Sequence, residues 1–344
     1  MRIRQKTNAY YWFILVIKVG LCCINLTLLF NHFNTRSILV GEVESATGSL
    51  TDSQSDIHEL INFLSDDVPL ITDSFANENL SVTNYKFIIF TKSYAEAHET
   101  RTFLREKSWL SYNWTKQDGS KISWKHFFLV GLSIDKEAME NLIEENDTHG
   151  DIIVSDTFTS LRHQAYKVMW MFEYAVKNLY YKFLIQVDDD TVVNVRLLDR
   201  FLTKIIIDRE DNNLYVGANC ARKGVIRDGP FRTSEEAWPD NMYPPYCSGA
   251  GTIFSHDVID KIVAVWKDYR GPAIGHDDVL TGELAYIAGG IVPRNVGGIR
   301  LGYVVGQDGN FLLLAIRPLE IGAALLENHM NTGVYGNETV EWHG

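Results

Sequence analysis

Along most of the chain, short β-rich apolar runs alternate with stretches of helical period. YKFIIFT (85–91), WKHFFLVGL (124–132), DIIVSDTF (151–158) and KFLIQV (182–187) read as strands. AEAHETRTFLREKSW (95–109), DKEAMENLIEEN (135–146) and RHQAYKVMWMFEYAVKNLYY (162–181) read as helices. In the last, Val168, Met171, Phe172, Ala175, Val176 and Leu179 fall on one face. This alternation predicts an α/β sandwich around a mostly parallel sheet, in a globular body that begins near Asn84.

The N-terminal part has a different pattern. From about Asn31 to Thr83 it is acidic, polar and aperiodic, as a stem or linker is, apart from the short amphipathic patch IHELINFL. Ahead of it an apolar run, 10–30, follows Arg2, Arg4 and Lys6. Its length suits a bilayer, although Lys18 and Asn25 interrupt it. A cleaved signal peptide is the competing reading, with a shorter apolar core. The positive flank orients the segment as a signal-anchor with the body in a lumen. The organisation is then a 1–9 cytoplasmic tail, a 10–30 transmembrane signal-anchor, a 31–83 lumenal stem and an 84–344 body.

Sequons at Asn79, Asn113, Asn146 and Asn337 agree with a lumenal body. Cys220 and Cys247 are the body's two cysteines. In an oxidising lumen they form a candidate disulfide, and two buried thiols are the alternative. A formal net charge of −12 argues against a general nucleic-acid binder.

Candidate chemistry starts where strand 182–187 runs into Asp188, Asp189 and Asp190. Ligands of open α/β sheets bind outside the carboxyl ends of the strands. Three adjacent carboxylates repel one another unless a positive group sits among them. A hard divalent ion carrying a nucleotide diphosphate is one such group. An acidic turn capping the next helix is the alternative. YPPYCSGAGTIFS (243–255) adds tyrosines, which offer a sugar ring an apolar face, and Gly249 and Gly251, which allow close backbone approach. GHDDVLTG (275–282) adds a second acidic pair, Asp277 and Asp278, which also suits a solvated helix start.

Four blocks, in order across roughly 85–282, resemble the beta-1,3-galactosyltransferase family. That family includes beta-1,3-N-acetylglucosaminyltransferases and is related to the Fringe enzymes. RTFLREKSW resembles its R-x-x-x-R-x-T-W block, with one residue inserted before Trp109. QVDDDTVVN resembles K-x-D-D-D-x-x-x-N, with Gln186 in place of the basic residue. YPPYCSGAGTIFS is the most specific block, and DDVLTG resembles E-D-V-x-x-G. TSLRHQA departs from the usual D-S-Y-x-N-L-T, and the final 60 residues match poorly.

The resemblance implies a single-pass type II Golgi membrane enzyme with a nucleotide-sugar transferase (GT-A-like) fold. It implies Mn2+, a UDP-sugar donor and inverting transfer to a glycan acceptor on glycoprotein or glycolipid through a β-1,3 linkage. UDP-galactose leads as donor, with UDP-GlcNAc and UDP-GalNAc open. Asp190 matches the metal ligand, and His329 is a candidate second ligand with a structural role as its alternative. Asp188 and Asp189 match positions that hold ribose or tune the site. Arg101, Arg105, Lys167, Tyr246, Gly249, Gly251 and Asp277 fall at further donor-binding candidates. Asp278 matches the acid that serves as catalytic base. A non-catalytic lumenal chaperone or binding protein on the same fold is the rival, and a metal-dependent nucleotide hydrolase stands third.

Overall fold

The protein is described by a computed structural model over residues 84–158, 164–229, 232–249, 251–271, 274–302, 311–332 and 342–343. The expected anchor and stem, and the sequons at Asn79 and Asn337, lie outside these residues. Among the described residues no helix is long and apolar enough to cross a membrane.

The first half alternates as its pattern requires. Strand β1 (Tyr85–Lys92) is followed by α1 (His98–Lys107), β2 (Trp124–Leu132), α2 (Lys136–His149), β3 (Ile152–Phe158), α3 (Gln164–Asn178) and β4 (Tyr181–Asp188). Shorter pieces follow: β5 (Thr191–Val193), α4 (Val195–Ile207), β6 (Tyr215–Gly217), β7 (Gly251–Ser255), α5 (His256–Asp268) and α6 (Asp277–Ile287). The chain then forms β8 (Arg294–Val296), β9 (Ile299–Leu301), β10 (Leu313–Ala315), α7 (Leu319–Thr332) and β11 (Trp342–His343).

The main sheet has the order β11-β8-β6-β7-β4-β1-β2-β3. Strands β1 to β4 are parallel, whereas β7 runs antiparallel to both β4 and β6. The expected mostly parallel mixed sheet is present. A second sheet, β5-β10-β9, stands beyond the Asp188–Asp190 turn.

Strand β1 shows why the central strands are apolar throughout rather than alternating. Phe87 and Ile89 enter one core, with Leu104, Met139, Leu142 and Leu198. Ile88 and Phe90 enter the other, with Phe172, Ile259 and Leu284. A parallel strand covered on both faces buries both of its side-chain rows. Helices thus cover the two faces, and loops between strand ends and helices are left to carry chemistry.

Local signals set the helix ends. Asp135 caps α2 by accepting from Ala138 N, and Gly150 closes it in the left-handed conformation at φ 63°. Asn194 caps α4 by accepting from Leu197 N at 3.1 Å. The cap after the aspartate triplet is therefore Asn194, and the triplet is left for another purpose. The sequon at Asn146 is corrected: this residue lies inside α2, is buried, and its Oδ1 accepts from Ile152 N at 2.9 Å. Asn113 is exposed, as a sequon needs to be.

Candidate active site

Parallel pairing of β1 and β4 brings two charged strand ends together. Lys92 stands opposite Asp188 in register. Its Nζ lies 2.8 Å from Asp188 Oδ1 and 2.6 Å from Asp277 Oδ2. Gln186 Nε2 donates to the same Asp277 oxygen at 3.2 Å. One buried ammonium thus joins the strand-end triplet to the start of α6, across some ninety residues of sequence. Burial alone would lower the Lys92 pKa, but the two aspartates outweigh it and hold the lysine charged.

A cleft of about 470 Å³ opens at this junction. Asp188 and Asp189 line one side, and Asp278, Tyr246 and Gly249 another. Tyr94, Tyr243, His276 and Arg317 complete much of the wall. The expected nearness of the two acidic groups is found.

Asp277 and Asp278 are adjacent but differ. Burial would raise Asp277, yet Lys92 outweighs it and holds that carboxyl below the ordinary range. Among the described residues Asp278 has no cation in salt-bridge contact. Burial, and then the charge of Asp277, push it up to about 7. It accepts from Val279 N at 2.9 Å and half-faces the cleft. A carboxylate with that pKa is poised to take a proton near neutral pH.

The triplet also divides. Asp190 Oδ2 accepts from Arg317 Nε at 2.8 Å, whereas Asp190 Oδ1 is buried with no hydrogen-bond partner among the described residues. Burial first, then neighbouring carboxylates, raise Asp189. Burial likewise raises Asp188 despite its lysine. An unsatisfied carboxylate oxygen among acidic neighbours fits a hard divalent ion, which typically takes one or two carboxylates and completes its shell with phosphate and water. His329, the candidate second ligand, lies in the last turn of α7. Among the described residues no three His, Cys, Asp or Glu side chains cluster as a metal site.

Four donor-binding expectations need correction on position. Arg101 is fully buried, with Nε and Nη2 on Glu145 at 2.8 and 2.7 Å. Its Nη groups also donate to Tyr94 O, to Ala95 O at 3.1 Å and to Ser93 Oγ at 3.3 Å. Arg105 is held by Asp151 and Glu145 at 2.7 and 2.6 Å. Neither lines the cleft; Arg101 instead ties down the 93–95 loop that presents Tyr94. Gly251 is buried at the start of β7 and does not line the cleft; a Cβ there would stand 2.9 Å from Leu313 Cδ1 of β10. Lys167 is buried behind Tyr94, 5.2 Å from the ring centroid, and donates to Ser93 O at 3.1 Å. Burial, followed by repulsion from Lys92, lowers it to about 8.

The tyrosine loop sits where its block predicts, fixed on two sides. Cys220 and Cys247 are disulfide-bonded. Gly282 in α6 lets the loop lie against the helix, since a Cβ would meet Pro245 O and Tyr246 Cβ at 2.6 Å. Lys223 Nζ stands 4.4 Å from the Tyr246 ring centroid. Sequence reasoning missed Lys92, Tyr94 and Arg317. For Lys92 a signal existed, because it ends an apolar strand just as Asp188 does. For Arg317, in a stretch without motif, there was none.

A family model described as Galactosyltransferase matches residues 99–293, which covers α1 through the approach to β8. Hydroxyproline O-galactosyltransferase GALT6 of Arabidopsis thaliana is 30% identical over 176 residues, 51% of this chain and 25% of that protein. GALT2 of the same plant is 25% identical over 280 residues, 78% of this chain and 40% of that protein. Human Beta-1,3-galactosyltransferase 5 is 28% identical over 189 residues, 52% of this chain and 57% of that protein. The chain thus spans only part of the length of each of these relatives. The matched span contains the triplet, the tyrosine loop and the Asp277–Asp278 pair, and with it the chain belongs to the galactosyltransferase family, as a beta-1,3-galactosyltransferase-type member.

Proposed function

We propose that the protein transfers galactose from UDP-galactose to a hydroxyl of a glycan or protein acceptor, with inversion and a β-1,3 linkage. The observation that carries this is the cleft's asymmetry. Asp188 and Asp189 line the cleft beside Asp190, whose buried Oδ1 has no partner among the described residues, and Asp278, with a pKa of about 7, lines it from the start of α6. Direct displacement needs both a place for the leaving diphosphate and a base for the entering hydroxyl.

Asp190, with Asp188 and Asp189 beside it, would hold Mn2+, whose chemistry there is to neutralise charge on the departing nucleotide. Tyr94 and Tyr246 give flat apolar surfaces for base or sugar. Lys92 holds Asp188 and Asp277 in place, and Asp277 is thereby spent as a structural counter-ion. Asp278 accepts the proton of the acceptor hydroxyl as that oxygen bonds to the anomeric carbon. The bond from that carbon to the diphosphate oxygen breaks, and UDP leaves with the electron pair.

The sheet, with catalytic groups at its carboxyl edge, supports a GT-A-like assignment. The basic flank and bilayer-length apolar run of residues 10–30 support a type II Golgi membrane location. The test is a donor screen of the purified protein with UDP-galactose, UDP-GlcNAc and UDP-GalNAc, each with and without an acceptor panel, reading UDP release and product linkage. Acceptor-dependent galactose transfer is expected. Release that ignores acceptors would mean a hydrolase, and nucleotide binding without turnover would mean a binding protein.

A further inference from the structure

The cleft is an unwelcoming place for a nucleotide diphosphate. Four aspartates, Asp188, Asp189, Asp277 and Asp278, line it, and Asp190 stands next to Asp189 in the chain, paired with the lining Arg317. The cations near it are mostly committed. Lys92 is locked between Asp188 and Asp277, its side chain only 4% exposed. Lys167 is buried behind Tyr94 and bonded to Ser93 O. Lys223 sits over Tyr246, on the side of Asp278.

Arg317 is different. It lines the cleft, and its side chain is 76% exposed while its Nε holds Asp190 Oδ2 at 2.8 Å. Its backbone is fixed where its side chain is not. Ala315 pairs with Thr191 across the β10–β5 ladder, and Ile316 N donates to Asp190 O at 2.9 Å. The arginine is therefore held in register with the aspartate it pairs with, at the end of a free side chain. An exposed ion pair of this kind contributes little to stability and is readily exchanged. A guanidinium carries five N–H donors in a fork that matches phosphate geometry, and the Asp190 bond uses one of them.

We propose that Arg317 is an exchangeable donor-site cation. In the empty cleft it occupies Asp190, and when a divalent ion takes that carboxylate, Arg317 moves onto the diphosphate of the bound nucleotide. This rests on the reading of the cleft as a nucleotide-sugar site. It makes Arg317 a competitor of the metal alone and a partner of the metal–nucleotide complex. Those two roles have opposite signs, which a merely structural arginine would not show.

The experiment uses the full chain with Arg317→Ala and Arg317→Gln, whose folding is checked by thermal melting. Mn2+ alone is titrated and followed by electron paramagnetic resonance, and UDP is titrated by calorimetry at saturating Mn2+. Both variants are expected to bind Mn2+ alone 3- to 10-fold more tightly than wild type, and UDP about 10-fold or more weakly. Arg317→Lys, which keeps charge without the fork, is expected between wild type and alanine in UDP affinity. Mn2+ affinity that is unchanged or weaker in both neutral variants, or UDP affinity that is unchanged, would overturn the exchange while leaving the nucleotide-sugar reading intact. Wild-type protein that binds neither Mn2+ nor UDP would overturn both.

Discussion

Asp278 is set at a cost to the fold, and that cost is measurable without any substrate. Burial and the neighbouring Asp277 raise its pKa from an ordinary 3.8 to about 7. A carboxyl that holds its proton more tightly when folded stabilises the protein below its unfolded pKa. That contribution is lost as pH rises from near 4 through about 7, and stability is flat above. At about 1.4 kcal/mol per pH step, the full loss is about 4 kcal/mol. Asp278 is half-buried, and screening leaves roughly half of that. Asp278→Asn keeps the shape and can still accept from Val279 N, but it does not titrate. Its stability advantage over wild type should therefore grow between pH 5 and pH 8, by about 1–2 kcal/mol, or roughly 3–6 °C in melting temperature for a domain of this size. Differential scanning fluorimetry of both proteins across that range reads the difference. An advantage that stays constant with pH, or a variant less stable at every pH, would refute the reasoning about Asp278's environment.

Other expectations concern its neighbours. Asp277→Asn leaves the buried Lys92 with one counter-ion, and Lys92→Met leaves two carboxylates facing each other; each should cost on the order of 3–5 kcal/mol in urea unfolding. A loss below about 1 kcal/mol in both would mean that the Asp188–Lys92–Asp277 bridge does not hold the site together. Arg101→Lys keeps the charge but not the fork on Glu145, Tyr94 O and Ala95 O. It should loosen the 93–95 loop, seen as faster amide exchange there and a raised KM for the donor at nearly unchanged kcat. Unaltered exchange would disconnect Arg101 from the cleft. Asp190→Ala should abolish Mn2+-dependent UDP binding in calorimetry while the melting temperature stays within a few degrees of wild type, and retained affinity would remove Asp190 from the metal's shell.

The sequence made β1, β2 and β4 legible because each buries both faces along a largely apolar run, and the edge strand β3 legible from its Ile152, Ile153 and Val154. Strands β6 and β8 to β11 have two or three residues each, too few for a period to show. Helix α1 was expected from residue 95 and begins at His98, because Arg101 draws the carbonyls of Tyr94 and Ala95 into its own hydrogen bonds. The aspartate triplet was legible as chemistry because carboxylates in number after an apolar strand have few structural uses, whereas the Asp277–Asp278 pair drew its meaning from the block it matches. Which carboxylate does what was not legible. It depends on Lys92 choosing Asp277 over Asp278, and that choice is made by strand register and the direction in which α6 starts. Arg101 and Arg105 read as donor-binding cations from the block they match, and their actual partners, Glu145 and Asp151, some forty residues away, look like ordinary acids in the sequence.

The division of labour in the Asp277–Asp278 pair is the centre of the account, and single-turnover transfer tests it most directly. Wild type, Asp278→Asn and Asp277→Asn are loaded with UDP-galactose and Mn2+, and galactosyl transfer to an accepting glycan is timed after each protein's donor Kd has been measured. The account predicts a fall of roughly 10²–10⁴-fold in the transfer rate of Asp278→Asn, the scale of lost general-base help, with donor Kd nearly unchanged. Transfer that survives in Asp278→Asn would contradict it, and its collapse in a folded Asp277→Asn would move the base one residue back.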